Sequence, residues 1–199
     1  LYAQVVPTQK WRSGLTIPRN LSLTKTADTT KDEFLVASTP IERVEKLEKW
    51  WGSEHEKKIK LTKPFIIKRK QGIAPSRLQL HVDTANSFEI VLSNANKEQL
   101  IIGYDHLSKQ YFIDRTKAGV SGFHPDFAAK HTAPRFANTK GLDMDIILDK
   151  ASIELFADAG LSVMTELYFS TKPYNRLEIR SVTGTVVSKL AFHPLKSAW

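Results

Sequence analysis

The stretch from Leu142 to Thr165, LDMDIILDKASIELFADAGLSVMT, decides the fold of this chain. Its first part has a large apolar side chain at every second position, namely Leu142, Met144, Ile146 and Leu148. A period of two is typical of a strand with one buried and one exposed face. Asp149-Lys150 and residues 157–160, ADAG, are typical turn sequences. The stretch therefore predicts two strands joined by a turn, with a third strand returning after a second turn.

The second of these strands carries a carboxylate between large apolar neighbours. Ile153 and Leu155 are predicted to point one way, and Glu154 and Phe156 the other. A carboxylate in such a setting needs either a partner or an outward face. Arg115, on an earlier predicted strand, is the candidate partner, because a planar guanidinium holds a carboxylate through two hydrogen bonds. One interpretation is thus a partly buried Arg115–Glu154 salt bridge that fixes two strands.

The rest of the chain after residue 63 extends the pattern. Similar short segments bounded by turn residues occupy residues 65–70, 77–83, 87–93, 99–104, 110–115, 176–182 and 185–192. About ten short strands at hairpin spacing, without a second helix, are typical of two packed antiparallel sheets. We therefore predict an all-β fold, a two-sheet antiparallel β-sandwich of the jelly-roll or lectin-like kind, with one short N-terminal helix.

That helix is predicted to begin at Thr39 and to end at Gly52. Thr39 is a suitable capping residue, Pro40 suits the first helical position and Glu42 completes a capping box. Gly52 is placed to terminate the helix. Residues 1–37 read instead as short extended pieces at 3–6, 15–17, 21–24 and 33–37, which we expect to be disordered, packed against the sandwich or paired with another copy.

Residues 116–141 interrupt the strand pattern and predict a long loop. Loops of this length in compact domains are usually functional or pinned by their own side chains, and Phe123, Phe127 and Phe136 are the candidate pins. The spacing of His124 and His131 fits no metal-binding motif. We predict no metal site and no cofactor.

Composition excludes several classes of protein. The apolar share of 41% is sufficient for a core, and the absence of cysteine excludes disulfides and thiolate metal sites. No segment approaches the roughly 20 apolar residues of a membrane span. Of the net charge of +8, most lies in residues 1–70, which hold 15 lysines and arginines against 8 acidic residues. Because no nucleic-acid-binding signature accompanies these basic residues, a solvated surface is the favoured interpretation, and neither nucleic acid nor membrane is predicted as a partner.

Several motifs together resemble glycoside hydrolase family 32, the fructan hydrolases. They are YFIDRTKAG at 111–119, the pair Phe123 and Phe127, and LDMDIILDKASIELFADAG at 142–160. These are similar to the C-terminal β-sandwich of that family, whereas TIPRNLSL at 16–23 resembles the last strands of its catalytic propeller. The resemblance implies a propeller remnant at 1–37, a helical linker at 38–62 and a β-sandwich domain at 63–199. It also implies that the chain is a fragment, or a processed product, of something longer.

Catalysis by this chain alone is not predicted. The family's nucleophile, transition-state stabiliser and acid lie in Asn-Asp-Pro, Arg-Asp-Pro and Glu-Cys motifs of the propeller, and none of these motifs occurs here. The resemblance therefore implies a non-catalytic module of a retaining fructan hydrolase such as a levanase, an inulinase or another β-fructosidase. It further implies a secreted or periplasmic bacterial protein whose partners are the catalytic propeller, fructan or fructose, and a second copy in a homodimer.

The same resemblance implies a fructose-binding cluster. Asp114 and Glu154 would accept hydrogen bonds from sugar hydroxyls, Arg115 would donate two, and Tyr111 would supply an apolar wall. Support of the propeller and sugar binding are compatible roles for the module. Two alternatives remain: a free-standing lectin-like domain, and a glycosidase that uses Asp114 and Glu154 as its pair of carboxyl groups.

Overall fold

The computed structural model describes residues 2–9, 11–12, 14–25 and 34–197. Two short 3-10 helices, Tyr2–Gln4 and Glu42–Leu47, are the helical elements of this part of the chain. Its strands are, in chain order, β1 Arg19–Lys25, β2 Phe34–Pro40, β3 Glu54–Lys60, β4 Phe65–Lys68, β5 Ser76–Val82, β6 Phe88–Ser93, β7 Gln99–Asp105, β8 Gln110–Lys117, β9 Lys130–Pro134, β10 Leu142–Leu148, β11 Ser152–Ala157, β12 Ser162–Leu167, β13 Arg176–Arg180 and β14 Val186–Pro194. Within the described residues no helix is both long and apolar enough to span a bilayer.

Two six-stranded antiparallel sheets form the sandwich, so the predicted fold class is confirmed. Sheet I has the order β12-β11-β10-β5-β14-β3, and sheet II has the order β4-β13-β6-β7-β8-β9. Strands β1 and β2 pair only with each other among the described strands, and we call them the N-terminal ribbon. The main core lies between sheets I and II and is filled by their inward-facing apolar side chains. The alternating residues of β10 that predicted the fold belong to this core and are buried.

The predicted helix is wrong in type and length. Thr39 lies in β2, and the 3-10 helix begins after Ile41 without a side-chain cap. Tertiary pairing explains the early end, because the Lys49 amide donates to the Pro194 carbonyl at 2.8 Å and the Lys196 amide donates to Leu47 at 2.7 Å. Hydrogen bonds to the end of the chain thus replace those that a longer helix would have formed.

Two strands lie where none is predicted. β3 occupies the second half of the predicted linker and pairs with β14 at the edge of sheet I. Its sequence, EHEKKIK, shows little alternation, because an edge strand with two wetted faces tolerates charge on both. β9 lies inside the predicted loop and pairs with β8 at the edge of sheet II. Of the predicted loop pins, Phe127 is buried and its ring lies 4.5 Å from that of Phe123, but Phe136 is exposed.

The N-terminal pieces differ in part from their prediction. Residues 3–6 read as extended, but Tyr2–Gln4 forms a 3-10 helix. The ribbon strands correspond to two predicted pieces, although the start of the second piece, Glu33, lies outside the described residues. Of the three expected outcomes for residues 1–37, the described part shows packing against the sandwich, since the Ile17 amide donates to Oε1 of Glu154 at 2.8 Å.

Candidate functional site

Glu154 is the centre of a contact between the N-terminal segment and the sandwich. It points outward from β11, as predicted, because its neighbours Ile153 and Leu155 are buried in the core between the sheets. Its carboxylate accepts a hydrogen bond from the Ile17 amide at 2.8 Å and one from Nη2 of Arg19 at 2.5 Å. The side chain is 7% exposed. Glu154 therefore faces outward and also has a partner, either of which would meet the requirement of its position.

Arg19 closes over this carboxylate. Its Nη2 also donates to Oγ1 of Thr165 at 2.9 Å, and its guanidinium carbon lies 5.0 Å from the centre of the Phe156 ring. A guanidinium that pairs with a carboxylate and stacks on an aromatic face uses both of its binding modes. We call Ile17, Arg19, Glu154, Phe156 and Thr165 the Glu154 anchor.

An apolar cluster surrounds the anchor on the outer face of sheet I. Val44, Ile147, Phe156 and Leu195 are buried together, and Ile17 packs against them. Because Ile147 is the cross-strand partner of Glu154, both side chains point to the same outer face. The outer face of sheet I is therefore apolar here because the N-terminal segment covers it.

Gly160 permits a close approach of the ribbon. Its φ of +81° is unfavourable for other residues, and a Cβ atom at this position would lie 2.2 Å from the Ser38 carbonyl oxygen. The turn between β11 and β12 thus docks directly on β2.

Arg77 fixes the residues that follow the ribbon. Its Nε and Nη2 bind both oxygens of Asp145 at 2.8 and 2.7 Å, and its Nη1 donates to Glu48 at 2.8 Å. Burial alone would lower the pKa of Arg77, but the hydrogen bonds and charges of Asp145 and Glu48 more than offset this and raise it. A permanently charged Arg77 therefore ties the end of the 3-10 helix to strands β5 and β10.

A histidine pair adjoins this ion cluster. The rings of His55 and His193 lie 4.9 Å apart, and Nδ1 of His193 lies 2.9 Å from Oγ of Ser53. Burial lowers the pKa of His193, and His55 and Arg77 lower it further, although Glu48 raises it in part. The folded protein therefore favours neutral His193.

We expect the free energy of unfolding to decrease as the pH falls below about 6.5, the ordinary pKa of histidine. The unfolded chain binds a proton at His193 in this range while the folded protein does not, so the contribution is complete above pH about 6.5 and is lost on acidification. The slope for one such group is at most about 1.4 kcal/mol per pH unit. Urea titrations at several pH values measure it, and His193→Gln should flatten the dependence. An identical pH dependence in this variant would contradict the assignment.

Arg115 does not bind Glu154, and the predicted salt bridge is wrong. Arg115 lies on the inner face of β8 in sheet II and is 1% exposed. Its Nη1 lies 2.9 Å from Glu166 of β12, and its guanidinium carbon is 4.1 Å from the centre of the Phe127 ring. Glu166 also contacts Nδ1 of His131 at 2.5 Å. Arg115 therefore joins the two sheets at one edge of the sandwich.

Tyr111 is a second link between the sheets. It is fully buried, and its hydroxyl donates to Asp158 at 2.6 Å. Arg135 binds the same carboxylate oxygen through Nε at 2.8 Å. Burial raises the pKa of Tyr111, and the neighbouring Asp158 raises it further. Tyr111 is a buried hydrogen-bond donor in the structure, and does not form an exposed wall for a sugar.

Asp114 lies on the opposite, outer face of β8. Its Oδ1 accepts hydrogen bonds from the backbone and the side chain of Thr116 at 2.9 and 2.6 Å. Asp114 and Glu154 thus lie on the two outer faces of the sandwich, and sheets pack about 10 Å apart. They cannot flank one glycosidic bond, so the alternative of an acid pair formed by these residues is wrong. The predicted sugar cluster is dispersed over three places.

A groove of about 970 Å³ lies on the outer face of sheet I beside the ribbon. Its lining includes acidic, basic and other polar side chains, among them Arg77, His81, Asp143, Asp145 and Lys189. Within the described residues no group of three or more histidine, aspartate or glutamate side chains is placed to hold a metal ion.

Sequence reasoning missed Arg19 as the partner of Glu154. The available signal was the segment TIPRNLSL, which includes Arg19 and which resembled the family. Arg77, Glu48 and Asp145 were missed as a cluster because residues 29 and 68 positions apart come together only in the fold.

Comparisons with known proteins agree with this architecture. The family model described as "Glycosyl hydrolases family 32 C terminal" matches residues 41–194. A levanase of Bacillus subtilis (strain 168) is 27% identical over 206 residues, which cover 100% of this chain and 29% of the levanase. An extracellular exo-inulinase of Aspergillus awamori is 26% identical over 211 residues, covering 100% of this chain and 37% of that protein.

Two solved structures share the fold. The crystal structure of exo-inulinase from Aspergillus awamori superimposes with a TM-score of 0.83 at 24% identity, covering 100% of this chain and 39% of that one. A β-fructofuranosidase from Schwanniomyces occidentalis gives a TM-score of 0.82 at 21% identity, covering 98% and 43%. The chain therefore spans less than half the length of these relatives. Because the family model covers most of the chain, this protein belongs to the family of C-terminal domains of glycosyl hydrolases family 32.

Proposed function

We propose that this chain is the non-catalytic C-terminal module of a fructan-degrading hydrolase and that it supports the catalytic domain of the same polypeptide. The observation that carries the proposal is the Glu154 anchor, in which a buried carboxylate of the sandwich holds the segment that precedes it. The family assignment and the named activities of the relatives, a levanase and exo-inulinases, support the choice of catalytic domain.

The N-terminal ribbon offers a surface for that domain. Leu23 is paired with Val36 across the ribbon, and both side chains are more than half exposed. Leu21 and Phe34 belong to the same face and are also exposed. A contiguous exposed apolar patch usually marks an interaction site. We infer that the catalytic domain covers this face, with its strands continuing from the ribbon.

The same reasoning extends to location and substrate. We infer a secreted or periplasmic, bacterial enzyme acting on fructan, because the relatives include a Bacillus levanase and inulinases named as extracellular.

A second copy of the chain is the competing occupant of the ribbon face.

We expect Leu23→Ser to act only when the catalytic domain is present. In the 199-residue chain Leu23 is 72% exposed, so the substitution should change the unfolding free energy by less than about 0.5 kcal/mol. In the product of the complete gene it should destabilise by about 2 kcal/mol, the value of burying a leucine side chain. Leu107→Ser is the matched control, because Leu107 is 91% exposed on the sandwich itself.

Three measurements complete the experiment: thermal unfolding of both proteins, release of fructose from levan and inulin, and mass by sedimentation. The complete product should release fructose while the 199-residue chain should not. Equal effects of Leu23→Ser in both proteins, or fructose release by the chain alone, would contradict the proposal. A dimeric chain that Leu23→Ser makes monomeric would assign the ribbon face to a second copy instead.

A further inference from the structure

A second cavity, of about 570 Å³, lies on the outer face of sheet II, across the sandwich from the Glu154 anchor. Phe112, Lys130, Glu89 and Arg180 line it. The cavity thus combines the Phe112 ring with two cationic side chains and two carboxylates, those of Glu89 and Asp105. This mixture of an apolar wall with a few polar groups is typical of a small-molecule binding site.

The Phe112 ring lies across the sheet surface. Its neighbours Tyr111 and Ile113 are fully buried between the sheets, so Phe112 points outward. Its cross-strand partner is Gly103, and a Cβ atom on that glycine would lie 2.6 Å from Cζ of the ring. The ring therefore occupies the space that a side chain at position 103 would fill. The absence of this side chain lets the ring present a face to the cavity.

A flexible side chain, that of Lys130, covers one face of this ring. The ammonium group of Lys130 lies 3.8 Å from the ring centre, and Lys130 itself is exposed on the edge strand β9. Phe112 is 5% exposed with Lys130 in this position. Exposed lysine side chains change rotamer within nanoseconds. A ligand can therefore replace the ammonium group on the ring while the lysine donates to one of its hydroxyls.

Glu89 and Arg180 form an exposed donor and acceptor pair beside the ring. Nε and Nη2 of Arg180 both bind Oε2 of Glu89, at 2.9 and 2.7 Å. Oε1 of Glu89 and Nη1 of Arg180 make no hydrogen bond within the part of the chain that is described. The two side chains are 39% and 45% exposed. An adjacent acceptor and donor held in this way can bind two neighbouring hydroxyl groups.

We propose that this cavity binds a carbohydrate chain, with one sugar stacked by its C–H face on Phe112 and its hydroxyls bound by Glu89, Arg180 and Lys130. The choice of fructose units as the sugar rests on the proposed function, whereas the carbohydrate class rests on the cavity alone. Sugar recognition would then use the outward face of β8, and the inward residues Tyr111 and Arg115 would have no part in it.

Titration of the 199-residue chain with short oligosaccharides tests this site. The probes are β-2,1- and β-2,6-linked fructo-oligosaccharides and a cello-oligosaccharide of equal length, followed by calorimetry and amide chemical shifts. Saturable binding of a fructo-oligosaccharide should shift the amides of Gly103 and Phe112. Glu89→Gln and Phe112→Leu should each weaken binding about tenfold or more, as expected for the loss of a charged hydrogen bond or a stacking face.

Glu178→Gln is the matched control. Glu178 pairs with Arg176 at 2.6 Å on the same sheet but does not line the cavity, so its removal should leave the affinity within about twofold. Glu89 is half-exposed, so Glu89→Gln should keep the wild-type melting temperature even if Phe112→Leu does not. The absence of saturable binding by wild type, or equal affinity of Glu89→Gln and Glu178→Gln, would overturn the proposal.

Two outcomes separate this proposal from the proposed function. Binding of the cello-oligosaccharide alone, with the same response of the variants, would support a carbohydrate site and overturn its assignment to fructose. Binding that Glu154→Ala leaves unchanged would place the site outside the anchor, as the structure requires. Loss of binding in Glu154→Ala with a folded sandwich would contradict the location on sheet II.

Discussion

Replacement of Glu154 by alanine is expected to destabilise the protein by about 2–3 kcal/mol. The substitution leaves the Ile17 amide and the guanidinium of Arg19 without their carboxylate, and 22% of the Arg19 side chain is exposed. Because that exposure lets water replace part of the interaction, the loss of stability should be smaller than the roughly 3–5 kcal/mol expected when a fully buried pair is broken. Urea unfolding of wild type and variant measures the difference.

The loss should begin in the N-terminal segment. We expect faster amide exchange at Ile17 and faster tryptic cleavage after Arg19, while the core strands keep their protection. Glu178→Gln again serves as the control, because Glu178 forms a half-buried ion pair with Arg176 on sheet II, away from the N-terminal segment. Unchanged exchange at Ile17 in Glu154→Ala would show that the carboxylate does not hold this segment.

Replacement of Arg115 by methionine should have the larger effect, about 3–5 kcal/mol, because Arg115 is fully buried and its partner Glu166 is nearly so. Methionine keeps an unbranched apolar stem against Phe127 but leaves Glu166, which is 11% exposed, with only His131 as a charged neighbour in the described structure. The two sheets lose a link at one edge of the sandwich. A decrease of less than about 1 kcal/mol in urea unfolding would contradict this role.

The double variant Arg115→Met/Glu154→Ala distinguishes the observed partners of Arg115 and Glu154 from the predicted salt bridge between them. Arg115 and Glu154 share no contact in the described structure and lie on different sheets, so their effects should add within about 0.5 kcal/mol. A direct salt bridge between them, as predicted from the sequence, would instead give a coupling energy of about 1 kcal/mol or more. The cycle thus tests the placement of both residues.

Local periodicity explains how much of the fold was predictable. The alternation in β10 and β11 predicted which side chains point inward, because successive side chains of a strand point to opposite faces whatever the partner strand is. The same rule predicted the strands from Phe65 onward to within a few residues. The rule failed for β3 and β9. Both lie at sheet edges, where solvent contacts much of the strand and alternation is not required.

The N-terminal helix shows the limit of local signals. A capping box at 39–42 and a terminating glycine at 52 favoured a helix, but hydrogen bonds to residues 194 and 196 ended it after Leu47. Those partners lie about 150 residues away in the chain, so no local pattern could include them. Tertiary pairing overrode a weak helical preference.

By itself the sequence determined the fold class, the family resemblance, the inward and outward faces of most strands and the need of Glu154 for a partner. Only the tertiary structure decided that this partner is Arg19, that Arg115 binds Glu166, and that Asp114 and Glu154 lie on opposite outer faces. The reason is physical. The direction of a side chain along a strand follows from the backbone geometry of its neighbours, whereas its partner depends on which distant strand or segment packs against that face.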